Sequence, residues 1–295
     1  MELADGLCDA EIEGVSVMET LDRMRLDGRT VVITGGAGLL GQKHAEAVIE
    51  GGGMAVLLDI NQQAIDRAIV GLREKYGKDC RVRGYVADIT EETSLREAAK
   101  YIIQECGLVY GLVNNAANNP KVEGGAANMG AIQFENFPLS MWLGDIAVGL
   151  TGSFLCAKVF GAAMAEQGRG VILNISSDLG IIAPDQRIYR KEGLADNEQT
   201  IKPVTYSVIK HGLLGLTKYL ATYYADKGIR CNALCPAGVY NGQDEVFLQK
   251  LTNLIPLGRM ARADEYKSTV LYLLSDASSY MTGSTMIVDG GRTCW

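Results

Sequence analysis

At 295 residues with 47% hydrophobic content, the chain is long enough to bury one large core, and no repeat or composition break divides it. A net charge of −7 without a basic run argues against nucleic acid and anionic membrane as partners. Seven scattered cysteines, and two histidines (His44 and His211) without ligand spacing, argue against a disulfide framework or a metal site.

Residues 1–25 carry several charges and little periodicity, and they read as an N-terminal extension to a domain spanning 26–295. The first residues lack a positive segment followed by an apolar core, so a cytoplasmic protein is expected. No apolar stretch reads as a membrane span. Short apolar strands are predicted near 30–34, 54–59, 81–86, 109–114, 170–175, 229–235 and 284–289, with helices between them. This alternation predicts an α/β fold: a doubly wound parallel sheet of about seven strands, covered by helices on both faces. In such sheets ligands bind beyond the carboxyl ends of the strands.

Several chemistry-bearing residues fall at those ends. The first strand runs into Gly35-Gly-Ala-Gly-Leu-Leu-Gly41, and a helix follows from about Leu39. Gly36, Gly38 and Gly41 match G-x-G-x-x-G in the strand, turn, helix setting that lets backbone approach a pyrophosphate. A Rossmann-type dinucleotide site is the expectation. Asp59 closes the second strand, where a carboxylate accepts hydrogen bonds from a ribose diol and repels a 2′-phosphate; NAD is therefore expected over NADP. The alternative for Asp59 is a helix N-cap or turn residue.

Tyr206 and Lys210 stand one helical turn apart, and Ser177 lies at the end of an apolar strand. A phenol beside a cation is a general acid/base, and a hydroxyl such as Ser177 can hold the oxygen that gains or loses the proton. The set suits interconversion of an alcohol and a carbonyl. Alone, the Tyr–Lys spacing usually reflects surface packing.

From about Leu26 to Gly291 the chain resembles the short-chain dehydrogenase/reductase family. The resemblance rests on Thr34–Gly41, Asp88, Asn114-Asn-Ala-Ala117, Asn174-Ile-Ser-Ser177, Tyr206-Ser-Val-Ile-Lys210, Asn232-Ala-Leu-Cys-Pro236 and the terminal Val288-Asp-Gly-Gly291. It implies Tyr206 as acid/base, Lys210 as the group that lowers its pKa and holds the nicotinamide ribose, and Ser177 as the residue that orients the substrate oxygen. Gly35, Gly38, Leu39, Leu40 and Gly41 would surround the pyrophosphate, and Asp59 with Ile60 the adenosine ribose. Asp88 and Ile89 would flank the adenine; Asn115, Ala116, Pro236 and Val239 would line the cleft toward the nicotinamide. Homodimers or homotetramers packed on long helices near 140–167 and 203–226 are also implied.

Three departures stand out. Gly149 occupies the position where the family's proton relay usually has an asparagine. The glycine spacing matches a longer, sugar-nucleotide-modifying branch, whereas the other motifs belong to the shorter branch. The third is an insertion at about 185–203, just before Tyr206, which carries Arg187, Arg190, Lys191 and Lys202 balanced by Asp185, Glu192, Asp196 and Glu198. It is either a solvated loop or a substrate-pocket wall in which Arg187 or Arg190, with Asp178 nearby, grips a small polar substrate. A sugar, sugar phosphate or sugar nucleotide is the expectation. Two alternatives remain open: an NAD-retaining epimerase or dehydratase, and a dinucleotide-binding regulator without chemistry.

Overall fold

The computed structural model describes residues 19–118 and 133–295. The expected extension lies largely outside them, since residues 1–18 are not described. Seven strands alternate with helices: β1 (Thr30–Thr34), α1 (Leu39–Glu50), β2 (Met54–Asp59), α2 (Gln62–Tyr76), β3 (Val82–Val86), α3 (Glu92–Cys106) and β4 (Val109–Asn114). Then follow α4 (Leu139–Ile146), α5 (Gly152–Gln167), β5 (Gly170–Ile175), α6 (Val204–Tyr223), β6 (Ile229–Pro236), α7 (Glu245–Thr252), α8 (Lys267–Leu274) and β7 (Thr285–Val288).

The strands form one parallel sheet in the order β3-β2-β1-β4-β5-β6-β7. The apolar runs of the five inner strands are buried because both faces are covered, whereas the edge strands β3 and β7 are partly exposed. Val31 and Ile33 enter one core with residues of α1, α2 and α8; Val32, from the same strand, enters the other with α3, α5 and α6. That is the period-two geometry of a strand. Chain order reverses between β1 and β4, and the crevice opens there, at the carboxyl ends.

Buried asparagines explain two of the sequence motifs. Asn114 donates to the Asn174 side chain at 2.8 Å, and Asn174 donates to Thr217 at 2.8 Å, linking β4, β5 and α6. Asn232 donates to the Met281 carbonyl at 2.8 Å and accepts from the Ser284 N–H at 3.1 Å, joining β6 to the segment before β7. Buried amide hydrogen bonds of this kind favour one packing over its alternatives, although Asn114 Oδ1 has no partner among the described residues.

The helix spanning Leu139–Gln167 corrects one expectation. With 29 residues and a mean hydropathy of 1.6 it is long and apolar enough to cross a membrane. Half of its most apolar window is buried, and Cys156, Phe160 and Met164 pack in the core against β-strand residues, so packing accounts for its composition.

His44 on α1 is enclosed near Asn115, and among the described residues neither ring nitrogen has a hydrogen bond of normal geometry. Burial lowers its pKa from 6.5 to about 4. An unfolded chain would take up the proton first, so this histidine's stabilisation is present above pH 6.5 and is lost as pH falls toward about 4. Urea unfolding near neutral pH and at about pH 4.5 should show the native protein losing about 2–3 kcal/mol more than His44→Gln. Equal losses would place the titration elsewhere.

Candidate active site

A cleft of about 740 Å³ runs along the carboxyl ends of the strands. Its floor at the first turn is fixed by side chains. The Thr34 hydroxyl accepts from the N–H groups of Asn115 and Ala116 at 3.0 and 3.1 Å, and the Asn115 amide donates to the carbonyls of Thr34 and Gly35 at 3.0 and 3.2 Å. The turn is too tight for a side chain at Gly41, where a Cβ would stand 2.2 Å from the Gly35 oxygen. Gly38 caps α1 without any side-chain hydrogen bond, which leaves the first N–H groups of the helix available to an anion. Gly35, Gly38, Leu39 and Leu40 line the cleft; Gly41 lies behind them as packing.

Asp59 and Ile60 line the next stretch. The Asp59 carboxylate accepts from the Ala37 and Asn61 N–H groups, each at 3.2 Å, which ties the end of β2 to the glycine turn. Asn61, not Asp59, caps α2, accepting from Ala64 N–H at 3.0 Å. Asp88 and Ile89 follow in the lining, with Asp88 held by the N–H and hydroxyl of Thr90 at 2.9 and 2.7 Å. Asn115, Ala116, Pro236 and Val239 also face the cleft, and the Val239 carbonyl accepts from the Gln243 amide at 2.9 Å.

Ser177, Tyr206 and Lys210 meet at the centre of this cleft. Lys210 is buried on α6 and donates through Nζ to the Ile175 carbonyl at 2.7 Å, with Nζ 5.7 Å from the Tyr206 ring centroid. Burial lowers its pKa to about 8, and the nearby Lys202 charge pushes the same way. Burial raises the Tyr206 phenol above its ordinary value, opposed by the Ser177 hydroxyl and reinforced by Asp178. In the protein alone the balance favours neutral phenol. Ser177 donates to Asp178 Oδ1 at 2.7 Å and accepts from Leu179 N–H at 3.2 Å. Asp178 itself is buried, and that burial raises its pKa against the Ser177 and Leu179 hydrogen bonds.

The insertion is built rather than loose. Gln199 donates to the carbonyls of Lys191 and Leu194 at 3.0 and 2.8 Å and accepts from Lys191 N–H at 2.8 Å, while Gln186 and the Lys202 backbone exchange bonds of 2.9 and 3.2 Å. Ile188 packs with Leu251, Ile255 and Met260, and the Tyr189 and Phe247 rings lie 5.5 Å apart. The loop is thereby a pocket wall, but not through the arginines expected to face it. Arg187 is 85% exposed and pairs with Asp185 at 2.7 Å; Arg190 pairs with Asp196 at 3.5 Å; neither lines the cleft. Hydration and an adjacent carboxylate keep both at the surface. The basic group of the loop that enters the cleft is Lys202, whose Nζ sits 3.7 Å from the Tyr206 ring centroid and whose pKa burial lowers to about 8. Tyr189, Gln243, Phe247 and Arg292 also line the cleft, and no motif marked them.

Gly149 has a steric cause. It sits in a π-helical turn, Ala147–Thr151, between α4 and α5, and a Cβ there would stand 2.7 Å from Ile209 Cγ2. An asparagine would have to displace the Ile209 side chain of α6. The Gly149 carbonyl is taken by the Ser153 hydroxyl at 3.0 Å.

Residues 36–293 match a family model described as enoyl-(acyl carrier protein) reductase. D-threitol dehydrogenase of Mycolicibacterium smegmatis is 29% identical over 274 residues, covering 91% of this chain and 94% of that one. Galactitol 2-dehydrogenase of Rhizobium johnstonii is 31% identical over 285 residues, covering 94% of this chain and all of the other. A gluconate 5-dehydrogenase of Burkholderia cenocepacia, solved with NADP and tartrate, superposes with a TM-score of 0.79 at 28% identity, covering 94% of this chain and 100% of that one. With its sheet order, its cleft and a match over nearly its whole length, the chain belongs to the short-chain dehydrogenase/reductase family, oxidoreductases that act on CH–OH groups with NAD or NADP.

Proposed function

We propose that the protein is an NAD-preferring dehydrogenase that interconverts a secondary alcohol and a ketone on a small polyhydroxylated substrate. The observation that carries this reading is the meeting of Ser177, Tyr206 and Lys210 in the cleft that also holds the glycine turn and Asp59. The uncapped N-terminus of α1 suits a pyrophosphate, and the Asp59 carboxylate, with two N–H donors among the described residues, keeps lone pairs for a ribose diol. NAD held there would supply the acceptor for the hydride of the carbinol carbon.

The rest is done by the chain. Tyr206 takes the hydroxyl proton during oxidation and returns it during reduction, so alcohol and oxidised cofactor yield ketone, reduced cofactor and one proton. Lys210 spends one N–H on Ile175 and has two left to stabilise a phenolate and bind a ribose hydroxyl. With its proton on Asp178, Ser177 presents a lone pair to an alcohol; to donate to a ketone oxygen it must release Asp178. Developing charge on oxygen is then shared between Ser177 and Tyr206.

The relatives named for threitol, galactitol and gluconate support a sugar-scale substrate. Nicotinamide absorbance should rise when alditols and aldonates are added with NAD. Conversion of a sugar nucleotide without net absorbance change would instead favour the cofactor-retaining epimerase. We also propose a homo-oligomer, because Leu143 and Phe154 on one long helix and Tyr219 and Tyr223 on α6 leave large apolar groups exposed. Sedimentation of a single 31.7 kDa species would overturn that assignment.

A further inference from the structure

The turn after β7 places an arginine in the cleft that forms no ion pair with the described residues. Arg292 lines the same cleft as Tyr206 and is only 7% exposed, yet its Nε has no hydrogen-bond partner and no carboxylate of the described residues lies within 4.0 Å of its guanidinium. A guanidinium with a buried, unpaired Nε and no ion-pair partner among the described residues keeps donors for an anionic ligand. The nearby acids are engaged elsewhere. Asp289 accepts from Gly291 N–H, Thr293 N–H and the Thr293 hydroxyl at 2.9, 2.8 and 2.7 Å; Asp178 accepts from Ser177 and Leu179; Asp185 is paired with Arg187.

The presentation of Arg292 is deliberate in its geometry. Gly290 and Gly291 have φ of 66° and 89°, a conformation that other residues adopt only with strain, and the Gly290 carbonyl accepts from Leu257 N–H at 3.1 Å. The Asp289 side chain clamps the turn from inside. A second cation stands in the same cleft: Lys202 has no carboxylate within 4.0 Å among the described residues, and its ammonium lies over the Tyr206 ring. Two such charges, in a wall that also offers the Asn241 side-chain amide, suit a ligand that is both anionic and hydroxylated.

We propose that the substrate is a small polyhydroxylated anion whose carboxylate or phosphate is held by Arg292, with Lys202 assisting beside the reacting carbon. This rests on the dehydrogenase reading of the Tyr206 cleft. The test uses six-carbon compounds that differ mainly in charge: D-glucitol, D-gluconate and D-glucitol 6-phosphate, with tartrate as a fourth probe. Calorimetric titration of the NADH-loaded protein, in which an alcohol is not oxidised, should give binding of at least one anion at least about tenfold tighter than glucitol. Arg292→Gln should weaken that anion by about 10- to 100-fold while changing glucitol less than threefold, with partial recovery in Arg292→Lys. Preference among the anions separates a carboxylate from a phosphate.

In turnover with NAD the same variant should raise KM for the preferred anion and leave kcat within about threefold, because the anchor acts in ground state and transition state alike. If the native protein binds glucitol as tightly as every anion, or if Arg292→Gln weakens glucitol and anion equally, the proposal is overturned. If anions bind through Arg292 but nothing is turned over with either nicotinamide cofactor, the anion site stands and the dehydrogenase reading fails.

Discussion

Tyr206→Phe should lower kcat by about 10²- to 10⁴-fold, the range lost when a positioned acid/base is removed. The change deletes one oxygen and keeps the ring, so the contact with the Lys202 ammonium and the packing of α6 survive. Cofactor affinity should therefore stay within about threefold of the native value, which separates loss of chemistry from loss of the site. Burial already holds the phenol above its ordinary pKa, so proton abstraction depends on what Lys210 and the bound substrate contribute. Single-turnover measurement on the best alditol or aldonate is the check. A variant within tenfold of native kcat would remove Tyr206 from the mechanism and leave Ser177, Lys202 or water as the base.

Asp59→Ser should move the cofactor preference toward NADP. The ratio of NADP to NAD affinity is expected to rise at least about 100-fold, from loss of a charge-assisted hydrogen bond to the ribose diol and relief of repulsion against a 2′-phosphate. Asp59 also accepts from Ala37 and Asn61 N–H, and serine retains one acceptor, so some loosening of the glycine turn accompanies the change. Fluorescence titration with both reduced cofactors reads the ratio directly, and the ratio is insensitive to loosening that weakens both alike. Native protein that already prefers NADPH would sink the argument, as would a ratio that does not move.

The site was legible in the sequence wherever its requirement is local. A tight turn needs glycine at Gly41 whatever surrounds it, and a strand that ends on Asp59 delivers that carboxylate to the sheet edge by its register alone. Tyr206 and Lys210 share a face because they are one turn apart in α6. The insertion was different. Four basic residues there look equivalent in sequence, yet Arg187 and Arg190 find carboxylate partners at the surface, and Lys202, anchored by Gln186, enters the cleft. Gly149 could be seen as a departure from the family pattern, but its cause, Ile209 on a different helix, could not.

Arg292 is the sharpest case. It follows a terminal Asp-Gly-Gly that sequence reading treats as a family mark, and its approach to Tyr189 and Asp178 depends on two left-handed glycines and on a clamp by Asp289. What the sequence by itself determined was the parallel sheet, the glycine turn and the placement of the residues proposed for chemistry, because periodicity and backbone sterics act over a few residues. Only the tertiary structure decided which charges are solvated and which are left unpaired inside the cleft, because burial and ion pairing are set by segments distant in the chain. The proposal of an anionic substrate rests on that second class of observation.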